Sequence, residues 1–290
     1  MSGERRWWPA PAKLNLFLHV VGRRQDGFHD LQTYFQLLDW GDEIGIEVTA
    51  APAIVRVDGP AEVPPDIDLA VRAARALQSA AGVRQGAVLR IRKRTPMGGG
   101  LGGGSSDAAT TLRVLDRLWG CHLGTGRLAE LGLALGADIP LFIHGVSALG
   151  EGRGERLTPV ELPENDPKTG PGEWFLIIHP GVHVATGEIF QAPELTRNSA
   201  VLTIRALSLA ATRNDCEAVV RARYPAVSEA LEWLARFAPA RMTGTGACIF
   251  ARFTRAIDAE RVAARVPPAW RSYVARGVRR SPLLAALGED

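Results

Sequence analysis

Cysteine is scarce in this chain of 290 residues: Cys121, Cys216 and Cys248 are odd in number, widely spaced and form no Cys-x-x-Cys. That excludes a disulfide framework, argues against a structural zinc site and makes a reducing, cytoplasmic compartment the expectation. No apolar run approaches the roughly 18 residues of a spanning helix. The opening Met-Ser-Gly-Glu-Arg-Arg-Trp-Trp-Pro has no apolar core followed by a small-residue cleavage site. Neither membrane insertion nor export is expected. An excess of one charge is missing too. The formal net charge is +3, and no basic run is interleaved with aromatics, so nucleic-acid binding has no support while an anionic small ligand still suits the basic lean. Internal repeats and low-complexity segments are absent. With 46% hydrophobic and 22% charged residues, the chain reads as an ordinary globular protein, long enough for two modest domains.

Glycine is what the chain has in concentration. Six of the seven residues 98–104 are glycine, within Pro-Met-Gly-Gly-Gly-Leu-Gly-Gly-Gly-Ser-Ser-Asp at 96–107. Such a backbone reaches positive φ and lets a ligand approach without intervening Cβ atoms. The alternating residues 87–93 before it predict a half-buried strand. After it, Ser105 and Ser106 are suited to cap a helix carrying Ala108, Ala109, Leu112, Leu115 and Leu118 and stopped by Gly120. Strand, glycine loop and helix in that order make a phosphate cradle, because free N–H groups and roughly half a positive charge gather at a helix start. The P-loop of NTPases is excluded, since no lysine follows any glycine here. Gly98, Gly100 and Gly103 formally satisfy the dinucleotide fingerprint, but in a run of glycines that match is nearly automatic.

Taken in order, residues 10–21 predict a strand with Leu14, Leu16 and Leu18 on one face and Lys13, Asn15, Phe17 and His19 on the other. Asp26-Gly27 reads as a turn presenting Phe28 and His29, an aromatic and an imidazole suited to a nucleobase as well as to plain loop packing. An apolar stretch over 33–40, punctuated by Gly41-Asp42, precedes strands at 44–48 and 55–57. Asp66 or Asp68 can cap a helix ending near Gly82. A helix over 127–135 leads into Gly-Ala-Asp-Ile-Pro-Leu-Phe at 136–142, where Asp138 reads either as a cap or as an acid projecting into a cleft. Residues 148–155 are a glycine-punctuated crossing, and 158–173 a surface excursion and domain boundary. Beyond it come a strand from 174, a loop over 183–190 able to close over a substrate, helices at 201–211, 215–221 and 227–237, a glycine turn at 241–252 feeding a strand, a helix at 256–264 and a strand at 272–278.

Three separated motifs carry a resemblance: Pro-Ala-Lys-Leu-Asn-Leu at 11–16, the glycine loop, and Met-Thr-Gly-Thr-Gly-Ala-Cys-Ile-Phe at 242–250. In this order they resemble the superfamily of galactokinase, homoserine kinase, mevalonate kinase and phosphomevalonate kinase, the GHMP kinases. Asp-Gly-Phe-His-Asp-Leu-Gln-Thr at 26–33, Leu-Gly-Ala-Asp-Ile-Pro-Leu-Phe at 135–142 and His-Pro-Gly at 179–181 extend the likeness to the branch that phosphorylates a cytidine-diphosphate-linked methylerythritol. The resemblance implies a two-domain α+β fold: an N-terminal domain over 1–157 like domain 2 of ribosomal protein S5, and a ferredoxin-like C-terminal domain over 158–290 contributing to substrate binding. It further implies ATP and Mg²⁺ as cofactors and Lys13 with Asp138 as the catalytic pair, the acid as general base and the cation stabilising charge near the transferring phosphoryl.

The ATP phosphates would lie on Pro96, Met97, Gly98, Gly99, Gly100, Leu101, Gly102, Gly103, Gly104, Ser105 and Ser106, with one of the two serines near the Mg²⁺, whose ligands stay unassigned. His29 would read the cytosine edge, Phe28 and Phe190 would stack on its faces, and Asn15 and Thr186 would hold the substrate. Two positions depart from the family pattern. Phe28 replaces a more usual tyrosine, and Asp68 an asparagine that contacts adenine, a contact an acid cannot donate to. The alternatives are a homoserine- or mevalonate-type kinase of the same superfamily, a non-catalytic ligand-binding relative and, from another class, a nicotinamide-dependent oxidoreductase. The residues imply nothing about oligomeric state.

Overall fold

A computed structural model describes residues 6–160, 174–204 and 209–289. Residues 161–173 of the expected excursion and 205–208 of the expected 201–211 helix lie outside the described residues.

Two long strands form the spine. β1 (Trp7–Arg23) runs antiparallel to β2 (His29–Thr49) across the Asp26-Gly27 turn. Gly41-Asp42 was expected to break this run, yet β2 passes through it unbroken. The reason is steric. A Cβ at Gly41 would stand 2.2 Å from the Ala10 carbonyl oxygen, so glycine serves here to bring the two strands close, not to turn the chain. Register shifts between Pro11 and Lys13 and between Asn15 and Phe17 also spoil strict alternation, and both faces of β1 from Lys13 to Val20 are buried.

Ten strands form one sheet among the described residues. Beyond β2 lies β4 (Gly86–Arg92), and then β3 (Ile54–Asp58), parallel to it. β5 (Ala148–Gly152) pairs with the first part of β2 and with β6 (Arg156–Thr158). Helices α1 (Leu69–Ala81), α2 (Gly103–Leu118), α3 (Gly124–Leu133) and α4 (Ile139–His144) join this half. Leu77, Leu89, Leu112, Leu115 and Phe142 form its core, each large side chain contributing about 1.5–3 kcal/mol by burial.

The second half holds β7 (Trp174–His179), α5 (Thr186–Gln191), α6 (Glu217–Arg223), α7 (Pro225–Ala235), β8 (Ala240–Met242), β9 (Ile249–Phe253), α8 (Ala256–Ala263), β10 (Arg271–Val278) and α9 (Pro282–Leu287). Two expectations change here. The segment 183–190 is partly helical as α5, and within the expected 201–211 helix the described residues 201–203 carry no regular structure while Leu209–Ala211 form a short 3₁₀ turn. β10 pairs with β7 and, through Gly277 and Val278, with Leu38 and Leu37 of β2. Leu283 and Leu287 of α9 then pack against Trp8 and Val114. A further cluster at the junction, with Leu14, Leu16, Leu101, Phe175, Cys248 and Phe250, ties β1 and the glycine loop to the second half.

Candidate active site

The glycine loop lies between β4 and α2. Ser105 and Ser106 do not cap α2 as expected. The helix starts earlier, at Gly103, with Gly102 in the left-handed region as N-cap and no side-chain capping bond. Ser106 N closes the first helical hydrogen bond onto the Gly102 carbonyl (2.9 Å), which leaves the N–H groups of Gly103, Gly104 and Ser105 without an intrahelical partner. Ser106 is buried and its hydroxyl bonds to nothing, whereas Ser105 is partly exposed.

The second glycine turn braces the first. Ala247 N donates to the Gly98 carbonyl and Cys248 N to that of Gly99 (both 3.1 Å), while Thr243 Oγ1 donates to Gly100 O (3.3 Å). A Cβ at Gly100, where φ is 74°, would meet the Thr243 carbonyl oxygen at 2.4 Å. Only glycine fits this crossing.

Lys13 comes from β1 and is fixed by the loop it faces: its backbone N–H donates to Leu101 O (3.0 Å). Its buried ammonium donates to Asn15 Oδ1 (2.5 Å) and lies 3.5 Å from Asp138 Oδ2. Asn15 is itself held, donating through Nδ2 to Thr33 Oγ1 (2.8 Å) and through its backbone to Thr243 Oγ1 (2.9 Å). Asp138 occupies the N-cap position of α4, but its side chain makes no capping bond. Its carboxylate, 32% exposed, reaches instead toward Lys13. Gly154, past β5, approaches it from the other side, a Cβ there lying 4.0 Å from Asp138 Oδ1.

The remaining predicted residues sit where β2 begins and around α5. His29 is buried and stacks on Phe190, with ring centroids 5.3 Å apart and 25° between planes. Arg197 Nε donates to His29 Nε2 (3.1 Å), which leaves the imidazole proton on Nδ1. Burial, and then the Arg197 charge, lower the His29 pKa and favour the neutral ring. Phe28 is 53% exposed, with the Arg153 guanidinium 5.0 Å above its ring. Thr186 is exposed and shares a hydrogen bond with Thr245 (2.8 Å between hydroxyl oxygens). Asp68 is used up structurally: it caps α1 through the Ala70 and Val71 N–H groups and pairs with Arg56 at 2.5 Å.

The structure thus brings Lys13, Asn15 and Asp138 together beside the loop, and His29 with Phe190. Sequence reading missed Arg197, Thr33 and Thr243, which hold predicted residues in place, and Arg153. Thr33 and Thr243 lay in motifs already singled out; nothing local distinguished Arg153 and Arg197.

Models of two families match the chain, "GHMP kinases N terminal domain" over residues 68–146 and "GHMP kinases C terminal" over 192–271. A 4-diphosphocytidyl-2-C-methyl-D-erythritol kinase of Alkalilimnicola ehrlichii is 57% identical, the alignment covering 97% of this chain and 94% of that protein. The crystal structure of a 4-(cytidine 5'-diphospho)-2C-methyl-D-erythritol kinase superposes with a TM-score of 0.80 at 30% identity, covering 94% of this chain and all of that one. The mevalonate kinase of Methanococcus jannaschii shares the fold, with a TM-score of 0.67 at 14% identity over 96% of this chain and 100% of that one. The chain belongs to the GHMP kinases and, within them, to the 4-diphosphocytidyl-2-C-methyl-D-erythritol kinase family.

Proposed function

We propose that this kinase transfers the γ-phosphoryl group of ATP to the 2-hydroxyl of 4-diphosphocytidyl-2-C-methyl-D-erythritol, giving the 2-phosphate and ADP in the non-mevalonate route to isoprenoid precursors. The observation that carries the reading is the Lys13–Asp138 pair, 3.5 Å apart and with the acid partly exposed, beside a glycine loop that opens a 16-residue helix.

Phosphoryl transfer depends on positioning and on charge stabilisation more than on covalent chemistry. Asp138 accepts the proton of the 2-hydroxyl as that oxygen attacks, having no capping duty to hold it back. Lys13 stabilises charge near the transferring phosphoryl, aimed by Asn15 and by the Leu101 carbonyl. Residues 96–106 receive the ATP phosphates, with the free N–H groups of Gly103, Gly104 and Ser105 pointing at them. No group of three or more His, Cys, Asp or Glu among the described residues could hold a metal. A Mg²⁺ bound with the nucleotide would neutralise phosphate charge. Ser105, and not the buried Ser106, would be the hydroxyl to hold it: Ser105 Oγ lies 3.9 Å from a Cβ placed on Gly136, in the turn that carries Asp138.

The cytidine end lies at His29, Phe28 and Phe190. The Nδ1–H of His29 donates to an acceptor on the cytosine edge, and the exposed Phe28 offers a face to stack on. Because one face of Phe190 already covers His29, its other face or edge meets the base. Thr186 and Asn15 border the path between the two ends. We assign residues 1–157 and 158–290 to the two domains, with β10 and α9 returning to the first. No helix among the described residues is long and apolar enough to cross a membrane. Cys121, Cys216 and Cys248 are free thiols, consistent with a reducing cytoplasm.

ADP release with Mg-ATP and, in parallel, 4-diphosphocytidyl-methylerythritol, homoserine and mevalonate tests the reading. Turnover with the cytidine-containing acceptor alone is expected. Turnover with another acceptor would overturn the assignment of His29, Phe28 and Phe190.

A further inference from the structure

A second lysine meets acids in this molecule. Lys93, just beyond β4, donates to Asp42 Oδ2 (2.5 Å) and to Asp107 Oδ2 (2.9 Å). Asp42 lies in β2 and is fully buried. Its Oδ1 accepts from the backbone N–H groups of Arg94 (2.6 Å) and Thr95 (2.8 Å), and its Oδ2 also accepts from Thr95 Oγ1 (2.6 Å). Four donors therefore converge on one carboxylate, an arrangement that fixes its neighbours firmly.

What it fixes is the glycine loop. Thr95 is the residue immediately before 96–106, and Asp107, the fifth residue of α2, is the residue immediately after. Asp42 grips the entry directly and the exit through Lys93. The loop also rests on the cluster: a Cβ at Gly103 would lie 2.1 Å from Thr95 Oγ1, 3.0 Å from Asp42 Oδ2 and 3.1 Å from Lys93 Nζ. Charge agrees with this geometry. One cation serves two desolvated acids: burial pushes the Asp107 carboxyl up to about 8, and at Lys93, where burial alone would lower the pKa, Asp107 and Asp42 together outweigh it and raise it.

We propose that Asp42 is a positioning residue for the phosphoryl donor. By tying both ends of the 96–106 loop to the sheet, it sets the spacing and direction of the N–H groups that receive the ATP phosphates. This rests on the reading of that loop as the ATP site.

The test combines steady-state kinetics with calorimetric titration of a non-hydrolysable ATP analogue plus Mg²⁺, on the full chain and its variants. Asp42→Asn is expected to raise KM for ATP and Kd for the analogue by about tenfold or more, since misplaced donors lose affinity steeply. The acceptor KM and kcat at saturating ATP stay within about threefold. Thr95→Val, which removes one tie and keeps the shape, raises the same two constants by about threefold, and it decides the matter if Asp42→Asn does not fold. A folded Asp42→Asn with unchanged ATP affinity and only a lower Tm would overturn the proposal, as would an equal loss toward both substrates. Wild-type protein that binds no nucleotide would remove the ATP-site reading and this proposal with it. Wild type and variant binding alike would remove the proposal alone.

Discussion

The two lysine–aspartate groups use the same chemistry with opposite looseness. Lys93 meets Asp42 and Asp107 at 2.5 and 2.9 Å, and both acids are nearly sealed from solvent. Lys13 stops 3.5 Å short of Asp138, whose side chain is 32% exposed. The difference teaches where rigidity belongs. Asp42, which must hold a loop, is saturated with donors, whereas an acid that must take a proton keeps an accessible oxygen and an unfinished set of partners.

Breaking the loose pair has the largest expected effect. Asp138→Asn lowers kcat by on the order of 10²–10⁴ while ATP still binds; single-turnover assays with a parallel nucleotide titration check both halves, and near-wild-type turnover would take the base role from Asp138. Breaking the tight group costs stability and leaves kcat largely in place. Lys93→Met strands two acids in a desolvated site and should lower unfolding free energy by roughly 3 kcal/mol, read from urea denaturation, while kcat of the folded fraction changes far less than in Asp138→Asn. A Lys93→Met protein as stable as wild type would erase the contrast.

His29→Ala probes the far end of the cleft. It should raise KM for the cytidine-containing acceptor about tenfold or more with KM for ATP unchanged. The reverse pattern would mean that the two ligands are placed backwards.

The last expected effect is a slope. Asp107 has a folded pKa of about 8 against an ordinary 3.8, pushed up mainly by burial and only partly offset by Lys93. Between these values the folded state retains a proton that the unfolded chain has released, so this group's contribution to stability is whole below pH 4 and is lost as pH rises through 8. Urea melts at pH 5.5 and 8.5 should therefore show a steeper loss in wild type than in Asp107→Asn. Parallel slopes would show that Asp107 is ionised throughout.

Part of the candidate site was legible because its chemistry is local. The glycine loop announces itself within a dozen residues, whereas Asp138 before Pro140 and Phe28-His29 after a turn were ambiguous locally and took their expected roles from the resemblance of the separated motifs. What could not be read is what long-range packing decides. Gly41-Asp42 has the composition of a turn, yet lies inside a 21-residue strand, because β1 crosses too close for any Cβ. Ser105 and Ser106 have the composition of caps, yet α2 starts before them, since Gly102 can take the left-handed conformation itself. Asp42, Lys93 and Asp107 are scattered through the sequence and meet only when β2, β4 and α2 are stacked. The short helix α9 was invisible, its six residues making sense only against Trp8 and Val114.

The slender seam between β10 and β2 has a consequence for biosynthesis. The strand that stitches the halves into one sheet, and the helix that covers Trp8, leave the ribosome after nearly everything they join. A nascent chain halted before residue 271 would carry Lys13, Asp138 and both glycine turns, but not the pairing that unites their halves. Completion of the sheet is thus a late event of translation, and until α9 emerges Trp8 and Val114 lack the cover of Leu283 and Leu287.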